Sequence, residues 1–472
     1  MSLQIPFDNT YAALPQGFYT YQDAAPVSDP KLVAFNEDLA LQLGLTHTEA
    51  NDLAQVFSGN KTPEGAAPLA QLYAGHQFGT YNPQLGDGRA LLLGEVINSN
   101  GLRVDIQLKG SGPTPYSRMG DGRAWLGPVL REYVVSEAMH ALGVPTTRAL
   151  CAVTTGDMVY REAALPGAVL TRVATSHIRV GTFQVFAHRG DIQALKTLTE
   201  YTIQRHCPDA DGPLGLLRHV VALQAKLIPA WMSFGFIHGV MNTDNCTISG
   251  ETIDYGPCAF MDSYAVGKVF SSIDRTGRYA FGQQPNIIVW NMAQFATALI
   301  QQMDDKEAAI EAATAIIHEM PVLLEQEWLR RFAAKIGIAA PTQQDASLIQ
   351  ELLTLMETQG ADFTNTFHAL VGGTARDQFA DPTAYNSWES TWRARLAHET
   401  NPTDVMRHAN PYLIPRNHQV EAMIAAAVAG DYALFDKMLR ATAYPFEPNE
   451  SFLELTRAPH LSEHVTATFC GT

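Results

Sequence analysis

The chain has 472 residues, of which 46% are apolar and 17% charged, so a globular protein with two or three packed units is expected. Its formal net charge is −16 at pH 7. This acidic balance argues against a nucleic acid or an anionic membrane surface as a partner, because both require basic patches, but it leaves room for a small basic pocket that binds a phosphorylated ligand.

The N-terminus and the cysteines both indicate a cytoplasmic protein. Residues 1–9 lack the basic and apolar regions of a signal peptide and the arginines of a transit peptide, and no apolar run reaches the ~18 residues of a membrane span. The five cysteines, at positions 151, 207, 246, 258 and 470, form no Cys-x-x-Cys pair and no zinc-ligand spacing. We therefore expect a cytoplasmic monomer without a disulfide framework.

The first 65 residues are predicted to be an N-terminal extension without recognisable chemistry. Between Lys31 and Leu43 the apolar side chains recur at roughly helical spacing, which predicts a helix over this stretch. The rest of the extension contains many turn-forming residues, so no other long element is expected there.

A glycine-rich segment followed by two strands is the first sign of a nucleotide site. Gly86 and Gly88 precede an apolar strand at 90–95, and a second strand at 102–109 alternates apolar and polar residues and ends at Lys109. In kinases a glycine-rich hairpin covers the phosphates of the nucleotide, and a lysine follows on a neighbouring strand. A Gly-x-Gly pair alone is weak evidence, but the strand-borne lysine 21 residues later strengthens it.

The next segment, residues 110–123, is a long loop rich in Gly, Pro and hydroxyl side chains. Long irregular loops inside compact domains are usually functional, and its backbone N–H groups and two arginines could meet an anion. A helix is predicted from 124 to 142. On this helix Glu132, 23 residues after Lys109, matches the Lys–Glu ion pair of kinases, although the apolar stripe carries Glu137 instead and a solvated Glu132 remains the alternative.

Residues 144–185 are expected to form strands, including a hairpin at 153–161 and a further strand at 176–181. Arg172 and Arg179 lie in this region. Arginine is suited to bidentate contact with phosphate, yet a single arginine is more often part of a surface ion pair, so both interpretations stay open.

The second lobe is expected to start near residue 190 and to be mainly helical. A helix at 214–232 leads into a segment with the frame of a phosphotransferase catalytic loop, in which His238-Gly239 is followed by Asn245. Asp254-Tyr255-Gly256 then looks like the metal-binding Asp-aromatic-Gly of kinases. Further helices are predicted at 286–303, 305–335, 345–358, 418–429 and 431–441.

One position in this frame departs from the kinase pattern, since Val240 stands where kinases carry the catalytic aspartate. The chain could be an inactive kinase that binds nucleotide, a kinase with a relocated base, or an enzyme of different nucleotide chemistry. Asp244 is the nearest carboxylate able to act as a base, and a turn-stabilising role is its alternative. Asn245 and Asp254, predicted to face inward from adjacent strand ends, would suit Mg²⁺ or Mn²⁺ on phosphate oxygens.

Several runs of residues are together similar to one known family. They are Tyr73-Ala74-Gly75-His76-Gln77-Phe78-Gly79, Leu85-Gly86-Asp87-Gly88-Arg89, Leu108-Lys109-Gly110-Ser111-Gly112, Tyr116-Ser117-Arg118, Asp121-Gly122-Arg123-Ala124, His238-Gly239-Val240-Met241-Asn242-Thr243-Asp244-Asn245, Ile253-Asp254-Tyr255-Gly256-Pro257 and Ile414-Pro415-Arg416-Asn417-His418. Over nearly its whole length the chain resembles the SelO (YdiU) family of protein nucleotidyltransferases, which have a pseudokinase fold.

The resemblance implies a reaction that differs from kinase chemistry. Members of this family bind ATP flipped relative to kinases, so AMP passes to Ser, Thr or Tyr hydroxyls of proteins and pyrophosphate leaves. UMP transfer from UTP, favoured by Mn²⁺, is also attributed to the family. The implied proton acceptor is Asp244, the implied metal ligands are Asn245 and Asp254, and Glu132 takes the ion-pair role. The implied nucleotide contacts are Gly86, Gly88, Arg89, Lys109, Asp121, Gly122, Arg172, Arg179 and Asp254.

The expected fold class is therefore α+β, a bilobal protein-kinase-like fold with a β-rich nucleotide lobe and a mainly helical second lobe. The predicted units are an N-terminal extension, the nucleotide lobe, the second lobe and a helical C-terminal extension, at 1–65, 66–189, 190–340 and 341–472. The predicted activity is metal-dependent AMP transfer to proteins, with a kinase-like phosphotransferase or a nucleotide-binding scaffold as alternatives. The resemblance also implies a redox role for Cys470, for which Cys258 is the first partner to test.

Overall fold

A computed structural model describes residues 2–469, which form a β-rich N-terminal lobe followed by a mainly helical C-terminal part. This arrangement confirms the predicted α+β class. The strands are β1 Tyr19–Tyr21, β2 Lys31–Phe35, β3 Leu69–Gln71, β4 Gly75–Gln77, β5 Thr80–Asn82, β6 Ala90–Ile97, β7 Arg103–Lys109, β8 Ala124–Trp125, β9 Arg148–Tyr160, β10 Ala164–Ala174, β11 Phe236–Ile237 and β12 Ala259–Phe260.

The helices follow mainly after the sheet. They are α1 Glu37–Gln42, α2 Ala50–Phe57, α3 Leu126–Ala141, α4 Val180–Arg189, α5 Ile192–His206, α6 Gly212–Ser233, α7 Gln284–Ile300, α8 Lys306–Lys335, α9 Asp345–Gln359, α10 Phe363–Gly372, α11 Pro382–Leu396, α12 Pro402–Ala409, α13 Asn417–Val428 and α14 Ala433–Thr442. No helix in the described part of the chain is long and apolar enough to cross a membrane. Cys470 lies outside the described residues, so the predicted pairing with Cys258 stays a prediction.

The main sheet is antiparallel, in the order β1-β3-β6-β7-β10-β9-β2, with β8 added beside β10. Side chains alternate along a strand, so Gln107 and Lys109 share one face of β7, while Ile106 and Leu108 are buried on the other. Arg172 of β10 lies opposite Gln107 in the register of the two strands. The central strands therefore place a row of polar side chains on the face that forms the site.

Helices cover both sides of this sheet. Ile106 and Leu108 pack in a core with residues of α1 and α2, which come from the N-terminal segment. On α3, Leu130 and Tyr133 pack with residues of α13 and α14, the last two α-helices among residues 2–469. The C-terminal helices thus return to the N-terminal lobe, and α3 is buried between them and the sheet. The domain boundaries themselves remain a prediction.

Three predictions of secondary structure were wrong. The stretch from Lys31 to Leu43 is not one helix, because β2 pairs with β9 and Asn36 caps a short α1 by accepting a hydrogen bond from the N–H of Leu39. Strand β9 runs unbroken through the expected hairpin at 153–161, and the turn to β10 falls at 161–163. The expected strand at 176–181 is instead a loop that enters α4.

Candidate active site

A cleft of about 890 Å³ lies where the polar face of the central strands meets the segment that follows β11. Glu132, which stands outside the lining, lies directly behind Lys109. The structure therefore brings all of the predicted site residues to one place. Those that line the cleft are Gly86, Gly88, Arg89, Lys109, Asp121, Gly122, Arg172, Arg179, Asp244, Asn245 and Asp254.

Three cations converge on Asp254 inside the cleft, and we call Lys109, Arg172 and Arg179 the cation cluster. Asp254 Oδ1 accepts hydrogen bonds from Lys109 Nζ at 2.8 Å and Arg172 Nη1 at 2.6 Å, and Oδ2 accepts one from Arg179 Nη1 at 2.9 Å. Burial opposes ionisation of Asp254, but the cluster outweighs it and holds the pKa of the carboxyl well below its usual range. Asp254 is thus a negative counter-ion shared by three positive side chains.

Glu132 completes this ionic network from α3. Its Oε2 accepts a hydrogen bond from Lys109 Nζ at 2.5 Å and its Oε1 one from Arg172 Nη1 at 3.3 Å. Glu137, the alternative raised by the helical stripe, pairs with Arg148 at 2.8 Å instead. The apolar stripe of α3 did not predict which glutamate is buried, because the helix is covered on both sides. Glu132 is therefore only 4% exposed.

The glycine-rich segment contacts the loop that follows Lys109. A Cβ atom at Gly86 or Gly88 would lie within 3 Å of atoms of Tyr116, so only glycine permits this close approach. Ser117 Oγ also donates a hydrogen bond to the carbonyl of Gly88. The two glycines do not form the turn between β6 and β7, as a kinase hairpin would require, because that turn lies at 98–102. They precede β6, beside the end of β7 that carries Lys109.

The loop at 110–123 forms the outer rim of the cleft. Asp121 is exposed and forms a bidentate pair with Arg161, with N···O distances of 2.8 and 3.0 Å. Gly122 packs against the backbone of Gly112 and has a φ of 65°, a conformation that favours glycine. Arg123 donates hydrogen bonds to backbone carbonyls at 25 and 26, which ties the loop to the N-terminal segment.

Asp244 lies in the short 3₁₀ helix Thr243–Asn245 and is 7% exposed. Its Oδ2 accepts a hydrogen bond from Gln77 Nε2 at 3.2 Å, while Oδ1 is buried and has no hydrogen-bond partner among residues 2–469. Burial raises the pKa of the Asp244 carboxyl to about 6. Its backbone carbonyl accepts a hydrogen bond from Arg179 at 2.7 Å, which links it to the cation cluster.

The prediction that Asn245 and Asp254 lie at the ends of adjacent strands was wrong. Residues 246–253 form a turn with isolated bridges to other segments, in which Thr247 bonds Glu251. Asn245 Nδ2 donates to the carbonyl of Val240 at 2.9 Å, which turns its Oδ1 away from that carbonyl. An amide oxygen and a carboxylate are hard donors that fit Mg²⁺ or Mn²⁺, which commonly take one or two protein oxygens with phosphates and water.

The described residues hold no group of three or more His, Cys, Asp or Glu side chains arranged to bind a metal ion. A metal bound through Asn245 and Asp254 would therefore need further oxygens from substrate or water. The donor set fits a nucleotide-bound cation better than a permanently resident one.

The sequence interpretation did not select the hairpin of β4 and β5, which also contributes to the cleft. Its Gln77 bonds Asp244, and both Gln77 and Phe78 line the cleft. Tyr73, just before it, stacks under the guanidinium of Arg179 at 4.5 Å. The run from Tyr73 to Gly79 was noted only for its similarity to a family. Its closely spaced glycines were the available signal, since they indicate close backbone approach.

Comparison of the sequence with known proteins places the chain in one protein family. Residues 1–443 match the sequence profile of the family described as "Protein adenylyltransferase SelO". The chain is 65% identical to a protein of Ruegeria sp. strain TM1040 and 66% identical to one of Roseobacter denitrificans, in each case over 472 residues and 100% of both chains. It is 57% identical to a protein of Jannaschia sp. strain CCS1 over 99% of both chains. All three relatives carry the name protein nucleotidyltransferase YdiU.

Proposed function

The chain belongs to the SelO family of protein nucleotidyltransferases, and we propose that it transfers AMP from ATP to Ser, Thr or Tyr hydroxyls of protein substrates, releasing pyrophosphate. The observation that carries this proposal is that one cleft contains both a group of cations and a separate carboxylate. A buried cation cluster can hold phosphates, and a carboxylate, Asp244, is available as a base on residues 238–245, which we call the catalytic segment. UTP would be an alternative donor, with UMP as the transferred group.

The cation cluster is suited to the two terminal phosphates. It brings three positive charges together, hydrogen-bonded to the carboxylates of Glu132 and Asp254, with Asp87 3.9 Å from Arg179. A triphosphate offers further negative oxygens to these cations, and buried, preorganised cations stabilise charge more strongly than solvated ones. With the β- and γ-phosphates held there, the α-phosphate is left as the group that meets the acceptor.

Asp244 would accept the proton of the acceptor hydroxyl. As the hydroxyl oxygen bonds to the α-phosphorus, the bond from this phosphorus to the bridging oxygen of the β-phosphate breaks, and pyrophosphate leaves with its charge balanced by the cation cluster. Val240, which is 6% exposed, lines the same cleft at the position where kinases carry their base. A carboxylate for γ-phosphoryl transfer is therefore absent from the usual kinase position.

Asn245 and Asp254 are the residues that we propose hold Mg²⁺ or Mn²⁺ together with the nucleotide. When bound, the ion would supply positive charge to phosphate oxygens. Glu132 would keep Lys109 in place, and Gly86, Gly88, Arg89, Asp121 and Gly122 would contact the nucleotide from the glycine-rich segment and the rim.

The proposal is tested by giving the protein ATP labelled with ³²P on either the α- or the γ-phosphate, together with protein acceptors. Transfer of the α-label without the γ-label supports AMP transfer, and the reverse pattern shows a phosphotransferase. Stabilisation by ATP without either label on protein would indicate a scaffold. Asp244→Ala and Asp254→Ala should lower transfer of the α-label at least about a hundredfold, whereas Asp431→Ala, at an exposed residue far along the chain, should retain it.

A further inference from the structure

On both sides of Gln77, the hairpin of β4 and β5 is hydrogen-bonded to the catalytic segment. The N–H of His76 donates to Thr243 Oγ1 at 2.7 Å, and the N–H of Phe78 donates to Asn242 Oδ1 at 3.1 Å. Thr243 and Asn242 immediately precede Asp244. The backbone on both sides of Gln77 is therefore held in place by hydrogen bonds, and this fixes the position from which the Gln77 side chain contacts Asp244.

Phe78 shows that this attachment is strong enough to impose an unfavourable backbone. Its φ is 51°, in the left-handed region that side chains other than glycine rarely adopt. Such conformations persist where the surroundings over-determine them, and they concentrate at functional sites. The N–H of Phe78 also donates to Tyr279 Oη at 3.1 Å, and this hydroxyl in turn donates to Asn242 Oδ1 at 2.6 Å.

The two oxygens of Asp244 have different surroundings. Oδ1 is buried against Gly75, where any Cβ atom would overlap the carboxylate. Oδ2 accepts the hydrogen bond from Gln77, which itself lines the cleft. Because Oδ1 is closed off, Oδ2 is the oxygen that an acceptor hydroxyl can reach. A carboxylate oxygen has two acceptor positions, so the amide of Gln77 can occupy one and leave the other for the hydroxyl.

We propose that Gln77 is a positioning residue for the transfer reaction, which clamps the carboxylate of Asp244 against Gly75 so that one acceptor position of Oδ2 faces the incoming hydroxyl. This inference rests on the proposed function, since it concerns the same base. Gln77 touches the base and need not touch the nucleotide, so its loss should slow transfer without weakening nucleotide binding. A misplaced catalytic group costs rate because the reacting atoms no longer meet in a near-attack arrangement.

The test compares Gln77→Ala and Gln77→Glu with Thr80→Ala, a control at an exposed residue of the same hairpin. Gln77→Ala removes the amide donor, and Gln77→Glu keeps the size but replaces the donor by a like charge. We expect both to lower the kcat of α-label transfer about ten- to hundredfold while the KM for ATP changes less than about twofold. Thr80→Ala should leave both constants near those of the wild type.

A double variant separates positioning from general damage. If Gln77 acts through Asp244, adding Gln77→Ala to Asp244→Ala should not lower the residual rate further. A purely structural role would instead lower the melting temperature and raise the KM for ATP in Gln77→Ala, and either result with an unchanged kcat overturns the inference. If Gln77→Ala does not fold, the isosteric Gln77→Glu decides. Absence of α-label transfer by the wild type would refute the proposed function, whereas transfer that Gln77→Ala and Gln77→Glu leave intact would refute only the role of Gln77.

Discussion

The charge balance around Asp254 predicts how the protein behaves without nucleotide. Both oxygens of this carboxylate are engaged by the cation cluster, at N···O distances between 2.6 and 2.9 Å. Asp254→Asn keeps the volume of the side chain and removes its charge, so the buried cations retain Glu132 as their bonded carboxylate, with Asp87 at 3.9 Å from Arg179. The variant should therefore be markedly less stable than the wild type.

The magnitude follows from the cost of an uncompensated buried charge. Removing one partner of a buried ion pair costs about 3–5 kcal/mol. A change of about 1 kcal/mol shifts the melting temperature by roughly 2–4 °C in a chain of about 200 residues, and by less in a longer one. For Asp254→Asn we therefore expect a fall of about 5 °C in the absence of nucleotide and metal.

Thermal unfolding monitored with and without ATP, in the presence of EDTA, measures this effect. Because a triphosphate supplies the charge that the variant lacks, ATP should raise the melting temperature of Asp254→Asn more than that of the wild type. Asp404→Asn is the matched control, since it removes an exposed carboxylate 2.5 Å from Arg407 and should cost less than about 1 kcal/mol. Equal stability of Asp254→Asn and the wild type, or a smaller response of the variant to ATP, would refute the counter-ion role.

Three further predictions concern other parts of the molecule. Asp244→Asn should retain nucleotide binding within about threefold, measured by titration calorimetry, and lose at least about a hundredfold in α-label transfer, because the proposed base is removed. Gly181→Ala should lower the free energy of unfolding in urea by about 1–3 kcal/mol, since its Cβ would overlap the carbonyl of Ala74. Burial lowers the pKa of Lys335 from 10.5 to about 7, so the folded state sheds this proton more readily than the unfolded state, and stability should rise between pH 7 and pH 10. Lys335→Met should therefore raise the melting temperature at pH 7, with a gain that shrinks toward pH 10.

The regular elements could be predicted where local periodicity and tertiary packing agree. The predicted helix at 305–335 is α8, Lys306–Lys335, and the alternating strand at 102–109 is β7, Arg103–Lys109. Prediction failed at Lys31, where pairing with β9 imposes a strand on residues with helical spacing. Such pairing joins residues more than a hundred positions apart, and no local pattern contains it.

The sequence identified the residues of the site better than it predicted the contacts between them. Motif spacing selected Lys109 and Asp254, whereas Asp244 was selected through the family resemblance, and all three line the cleft. The choice between Glu132 and Glu137 could not be made from the stripe of α3, because the helices that cover its outer side come from the end of the chain. Gln77 could not be selected at all, since its proposed role depends on a hydrogen bond to a residue 167 positions away.

The two roles that we propose for Asp254 compete with each other. Without nucleotide its oxygens neutralise the cation cluster, whereas as the proposed metal ligand it must offer an oxygen to a cation of its own. Phosphate oxygens accept hydrogen bonds from lysine and arginine as carboxylates do, so a bound triphosphate can take over Lys109, Arg172 and Arg179. Asp254 would then be available to hold the metal. Nucleotide binding and metal binding are therefore expected to favour each other, and the left-handed backbone at Asp254, with a φ of 61°, fixes the carboxylate at the point where this exchange takes place.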